Sequence, residues 1–203
     1  EVVNGDWLTE LLRQCAHPGG AAICGAMLWY PDETIQHAGI VTGLGGYAGH
    51  SHKYKKKGGS GYLFRTSTVQ DFSGVTGACL LVKTAVYDEM HGLDEQFAVA
   101  FNDVDFCLRV RDAGYRIAWT PYAELIHYES KSRGGDEKDP VKAARFAAEQ
   151  QRLYTIHGKE NILDDPYYNP NLTRDREDFS ESDDLRRLKE GRVTVRFRGG
   201  TLQ

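Results

Sequence analysis

A mixed α/β fold, one β-sheet flanked by helices, is what this sequence predicts, on three observations. Stretches with apolar residues at i, i+3 and i+4 alternate along the chain with short apolar or alternating runs. Glycine, proline and Asn/Asp clusters punctuate the changes between them. The third observation is size: 203 residues, 40% of them hydrophobic, suffice for a packed core.

Taken in order, Trp7, Leu8, Leu11, Leu12 and Cys15 share one helical face, with Asn4 and Asp6 as capping candidates and His17-Pro18-Gly19-Gly20 as the stop. Ala21 to Tyr30 reads as an apolar strand, which Pro31-Asp32-Glu33 turns back into Thr34 to Ala38 as a hairpin. Residues 39–61 hold eight glycines and a lysine cluster between Lys53 and Lys57. Glycine entropy and like-charge repulsion predict a mobile surface loop there, with solvated His50 and His52. It lacks the Gly-Lys-Ser/Thr ending of a phosphate-binding loop, and its other reading is a lid facing an acceptor. The Gly74-Val75-Thr76-Gly77 turn leads into a strand from Ala78 to Val82, and Thr84 caps a short helix ending at His91-Gly92.

Asn102 and Asp103 open the next helix, whose stripe of Val104, Cys107 and Leu108 stops at Gly114. Tyr115 to Trp119 alternates as a strand does, with Trp119 in the core. Pro121 breaks the run, and Ala123 to His127 forms a further extended segment that returns His127 to the sheet. Asp139 and Pro140 are N-cap and first residue of a packing helix with Ala143, Phe146, Ala147, Leu153 and Tyr154 on one face, closed by Gly158. Residues 164–183 read as an irregular tail along the domain, and the alternation at 193–197 as an edge strand with no placed partner.

A net charge of −4 argues against a nucleic-acid partner. No apolar run approaches the ~20 residues of a membrane span, and no basic-then-apolar leader is present. The expected location is the cytoplasm, or a peripheral position at the inner face of the membrane. Cys15, Cys24, Cys79 and Cys107 are widely spaced within apolar segments, which suits reduced core residues and not a zinc site.

The strings N-D-V-D-F-C-L-R at 102–109, W-T-P-Y-A-E-L-I-H at 119–127 and S-K-S-R-G at 130–134 resemble the acceptor half of family 2 glycosyltransferases, inverting enzymes of the GT-A fold. G-V-T-G-A-C-L-L-V-K at 74–83 and G-L-D-E at 92–95 agree. D-P-Y-Y-N-P-N-L at 165–172 is similar to the bacterial O-antigen and rhamnosyltransferase-like branch, and the resemblance runs from the first residue to about 180.

The resemblance implies a partial GT-A-like mixed sheet lacking the N-terminal nucleotide-binding strands, with residues 1–160 as the acceptor-side part and 161–203 as an irregular extension. It implies transfer of a sugar from a nucleotide-sugar donor to a growing cell-surface glycan. Asp103 then resembles the general base, and His127 the ligand that helps a D-x-D carboxylate hold Mn²⁺ or Mg²⁺ against the leaving diphosphate. Gly77 and Ala78 fall beside the donor, and Asn102 and Arg133 among the substrate-binding residues, Arg133 on a donor phosphate. From spacing alone Asp103 is a first-turn acid and His127 an ordinary core or surface histidine. Asn102 stands where the family often has Glu, and Asp105, pointing away from Asp103, suits an ion pair.

In that family the D-x-D motif and the nucleotide-binding half lie upstream of such a first helix. The chain is therefore expected to fold without catalysing, to need its upstream half, and to self-associate through an uncovered sheet edge. A non-catalytic glycan-binding or interaction module that keeps half the fold is the competing reading. If the catalytic reading holds, Asp103 and His127 belong in one cleft.

Overall fold

The computed structural model describes residues 1–128 and 139–183, and the backbone of 196–197 and 200–201. Helix α1 (Trp7–Ala16) precedes strands β1 (Ile23–Trp29), β2 (Ile35–His37), β3 (Ile40–Thr42), β4 (Ala48–His50), β5 (Gln70–Asp71) and β6 (Leu80–Val82). Helices α2 (Thr84–Glu89) and α3 (Asn102–Asp112), strand β7 (Ile117–Ile126), helices α4 (Pro140–His157) and α5 (Lys159–Leu163), and strands β8 (Arg196–Phe197) and β9 (Gly200–Thr201) follow. Arg133 lies outside the described residues, as does most of the stretch from 184 onward.

β1 is the centre of the mixed sheet. It runs parallel to β7 and antiparallel to β6 at its start and to β2 at its end, with β5 on the far side of β7. Every β1 residue is buried, because both faces are covered. Cys24, Ala26 and Leu28 pack with Leu11 and Cys15 of α1, while Ile23, Met27 and Trp29 join Phe106, Cys107 and Val110 of α3. The four cysteines are free, with Cys79 half-buried and the others buried.

Four expectations require correction. α1 meets the sheet along a narrow line, so Leu8 and Leu12 remain 44% and 46% exposed, and neither proposed cap works: Asp6 makes no side-chain cap bond. Thr84 is the first residue of α2, after Lys83 at the cap position. On α4 the buried face is Phe146, Glu149, Leu153 and His157, with Ala143 and Ala147 exposed. Asp139 does cap α4, its side chain accepting from the Val141 amide at 2.9 Å. Finally, Pro121 does not end its strand. β7 passes through it in a bulge, where Ala26 pairs with Thr120 but the next residue, Met27, pairs with Glu124.

The bulge is satisfied by side chains. Asn4 Nδ2 donates to the Tyr122 carbonyl (2.6 Å) and its Oδ1 accepts from the Glu124 amide (3.3 Å), while the Trp119 indole N–H donates to the Ala26 carbonyl (3.0 Å). Pro121 has no N–H to satisfy.

Residues 39–61 also differ from the loose loop that their glycines suggest. β3 and β4 form a hairpin with Ile40, Val41 and Leu44 buried, and Thr42 donates its amide to buried Asp165 at 2.7 Å. Gly39 lies so close to the Phe72 ring that a Cβ would come within 2.5 Å of it. There the missing side chain serves packing, and only residues 54–59 stay exposed as a run. Beyond α5 the irregular segment sends Tyr168, Leu172 and Phe179 into the main core.

The outer edge of β7 is covered. β5 covers its first half, and residues 1–3 its second, through the Val2–Leu125 bridge and backbone bonds to Glu124 and Ile126. Among the described residues no helix is long and apolar enough to cross a membrane.

Candidate active site

α3 begins abruptly. Phe101 adopts a left-handed backbone (φ 64°, ψ 4°), which turns the chain so that Asn102 and Asp103 head the helix. Asn102 Oδ1 accepts from the Asp103 amide at 2.7 Å. Asp103 Oδ1 accepts from the Val104 amide and Oδ2 from the exposed Gly77 amide, each at 2.8 Å. The G-V-T-G turn and the acidic helix start are thus one unit. Ala78, also exposed, donates its amide to the Thr76 hydroxyl at 3.4 Å.

What fixes this unit comes from far along the chain. Buried Glu149 of α4 accepts from the amides of Val99 (3.1 Å) and Ala100 (2.8 Å), the turn leading into Phe101. Asp105 is buried and pairs with Arg109 one turn on, and its other oxygen meets His157 of α4 at 2.8 Å. Arg109 in turn donates to the carbonyls of Met90 and Gly92, joining α3 to the end of α2. The ion-pair role expected for Asp105 is present, with a histidine partner that the sequence did not suggest.

Asp103 borders a small open pocket with Ile40, Ala48, Gly49, His50, Phe101 and Val104. His50 is half-buried there and linked to His37, Nδ1 to Nδ1, at 2.8 Å. Because the Thr76 amide donates to His37 Nε2 (3.3 Å), the His37 proton sits on Nδ1 and is given to His50 Nδ1. His50 is left with its proton on Nε2. Complete burial, and secondarily His50, hold the His37 imidazole well below its ordinary pKa. His52 is stacked on Phe179 at 4.1 Å and accepts from the Tyr62 amide; burial pulls its pKa down to about 4. Neither His50 nor His52 is the solvated loop residue that its neighbours predict.

His127 follows β7, its amide bonded to the Trp29 carbonyl at 3.0 Å. Nδ1 lies 2.8 Å from Oε1 of buried Gln36. With that carbonyl accepting, Nδ1 carries the proton and Nε2 keeps its lone pair, the arrangement of a metal-binding imidazole. Asp103 and His127 belong to separate hydrogen-bond clusters. Gln36 holds His127, whereas His37, the next residue of β2 and so on the opposite face of the strand, reaches the Thr76–Gly77 turn beside Asp103. The pocket that Asp103 borders does not bring the two expected cleft partners together. Among the described residues no group of three or more His, Cys, Asp or Glu is placed to hold a metal ion, so these residues offer one imidazole. Glu149, His157, His37 and Gln36 were not singled out from sequence. The one available signal was a glutamate in line with Phe146 and Leu153 on an otherwise apolar helix face.

No protein-family model matches the chain, and no solved structure does. Known proteins are nevertheless similar. The chain is 47% identical over 180 residues to the uncharacterized protein y4gI of Sinorhizobium fredii, 88% of this chain and 20% of that protein. It is 36% identical over 174 residues to the O-antigen biosynthesis protein RfbC of Myxococcus xanthus, 85% of this chain and 13% of that protein. Over 80 residues it is 32% identical to the N-acetylglucosaminyl-diphospho-decaprenol L-rhamnosyltransferase of Mycobacterium tuberculosis, 39% of this chain and 24% of that protein. These names support a glycosyltransferase-like family. The chain spans about a fifth or less of the first two relatives' length.

Proposed function

We propose that this chain is the acceptor-side part of an inverting, family 2 glycosyltransferase of the GT-A fold, with Asp103 as the base that takes the acceptor's proton. The observation that carries this is the fixed Asp103 carboxylate, held by the Gly77 amide at the rim of the pocket that His50 also lines. A carboxylate oriented before the acceptor arrives avoids reorganisation during the reaction. The exposed Gly77 and Ala78 backbone faces the donor in this reading, with Asn102 beside it. Arg133 is assigned to a donor phosphate on the resemblance alone.

His127, turned by Gln36, offers one nitrogen to Mn²⁺ or Mg²⁺. The remaining ligands are donor phosphate oxygens and carboxylates outside these residues, since such cations on a diphosphate favour oxygen. When bound, the ion supplies positive charge for the leaving diphosphate. The relatives' names make a nucleotide-activated rhamnose the first donor to test and a cell-surface glycan or its lipid-linked precursor the first acceptor.

The test is Asp103→Asn in the full parent polypeptide, following both sugar transfer and donor binding. Transfer should be lost while donor binding by calorimetry persists, because the change removes the base and little bulk. Unchanged turnover would remove Asp103 from the role. A wild-type parent that binds glycan but transfers nothing from any nucleotide sugar would favour the non-catalytic module.

A further inference from the structure

From Thr34 to Gln70 the sequence has no aspartate or glutamate, although the whole chain carries a net −4, and this span holds four lysines and one arginine. Lys55 and Lys56 are exposed. Large apolar side chains share the same span and are left in water: Leu63 is 76%, Phe64 67% and Tyr54 64% exposed. All three have left-handed backbones, with φ of 46°, 61° and 65°. Bulky side chains adopt that region only where their surroundings enforce it.

The surroundings do enforce it. On one side Tyr62 gives its amide to buried His52, and its hydroxyl accepts from Asn169 at 3.0 Å. On the other, the Arg65 guanidinium lies over Phe72 and Phe179, at 4.9 and 5.8 Å from the ring centroids, and Thr66 is buried with its hydroxyl on the Gly59 carbonyl. Leu63 and Phe64 are therefore held outward between two anchored neighbours.

We propose that the loop from Lys53 to Phe64 is a membrane-surface contact. Leu63 and Phe64 enter the boundary between headgroups and acyl chains of an anionic bilayer, Lys55 and Lys56 meet lipid phosphates, and Tyr54 lies at headgroup depth. An apolar tip alone would suit many partners. The lysine-rich span around it is what favours a surface dense in phosphate: Glu124 takes up Lys57 at 2.9 Å and Asp32 lies near Lys56, but the span itself contributes no acid and keeps Lys55 and Lys56 exposed. This proposal rests on the loop alone and stands or falls separately from the assignment of Asp103.

Co-sedimentation with vesicles tests it, comparing mixed phosphatidylglycerol–phosphatidylcholine with phosphatidylcholine alone. The protein should bind the anionic vesicles preferentially and less so as salt is raised. Leu63→Asn with Phe64→Asn should lower binding by about fivefold or more, as should Lys55→Gln with Lys56→Gln. Asparagine tolerates the left-handed backbone, so the first double variant should keep its thermal stability. Absence of binding to anionic vesicles, or equal binding by the Asn variant, overturns the proposal. So does a marked loss of thermal stability in that variant, which would show that the tip serves the fold. A concentration-dependent dimer that the Asn substitutions abolish would overturn it too, by making a second copy the occupant.

Discussion

The start of α3 is fixed from beneath by two buried polar side chains of α4, whereas His127 is held by one side-chain hydrogen bond at the end of a strand. Glu149 and His157 reach α3 from some fifty residues away in sequence, and Gly77 closes the unit from the other side. His127 has Gln36, is half-buried, and precedes the stretch that contains Arg133. The contrast matches the two proposed tasks. A base must sit within hydrogen-bond reach of one proton, so its position has to be set in advance. A single imidazole acquires its function when other ligands gather around it.

The sharpest way to break this comparison is at the base. Asp103→Asn in the parent protein should lower the rate of transfer by about 10²–10⁴-fold, the usual contribution of general base catalysis; a smaller loss would mean that the fixed carboxylate is a helix-start acid and nothing more. Next in size is the support. Glu149→Ala leaves the Val99 and Ala100 amides without their acceptor, and should cost about 2–4 kcal/mol in urea unfolding. Its transfer rate should fall with it, whereas a stability loss with normal kinetics would uncouple α4 from the site.

Acid sharpens the comparison from the histidine side. His52 is neutral in the fold, with its pKa lowered from 6.5 to about 4, so between those values the unfolded chain binds more protons than the folded one. Stability is thus complete above about pH 6.5 and declines as pH falls through the window, by up to about 3 kcal/mol from His52, with His37 adding in the same direction. Denaturant titrations at pH 7 and pH 4.5 measure the slope, and His52→Gln should flatten it. The smallest effect belongs to His127→Ala, which should change stability by under about 1 kcal/mol, yet reduce metal-stimulated transfer. A large stability loss there would make His127 a structural residue and erase the contrast.

Much of the frame was legible because it depends on local pattern. The Asn102–Asp103 start with its stripe ending at Gly114, the Asp139–Pro140 cap and the hairpin after Tyr30 are all carried by neighbours within a few residues. The support was not. Nothing near Glu149 announces that its carboxylate meets two amides at 99 and 100, and His37, His50 and His52 read as polar residues in a glycine-rich run until β3 and β4 fold over them. Burial of a polar group depends on which distant partner satisfies it, and periodicity carries no record of that partner. The exposure of Leu8 and Leu12 fails for the converse reason: an apolar stripe shows which side chains are able to pack, not how wide a surface awaits them.

The bulge in β7 also acts as a ruler. Three residues, Pro121 to Ala123, are taken up opposite a single step of β1, and at ~3.3 Å per residue a plain strand would carry everything after them roughly 10 Å farther along the sheet. His127 would then overshoot Trp29 and lose Gln36. The slack around Pro121 therefore sets how far the imidazole reaches: drawing the bulge straight would displace His127 without altering a residue that touches it, whereas deleting residues 121–123 would leave Glu124 opposite Met27 and His127 in place.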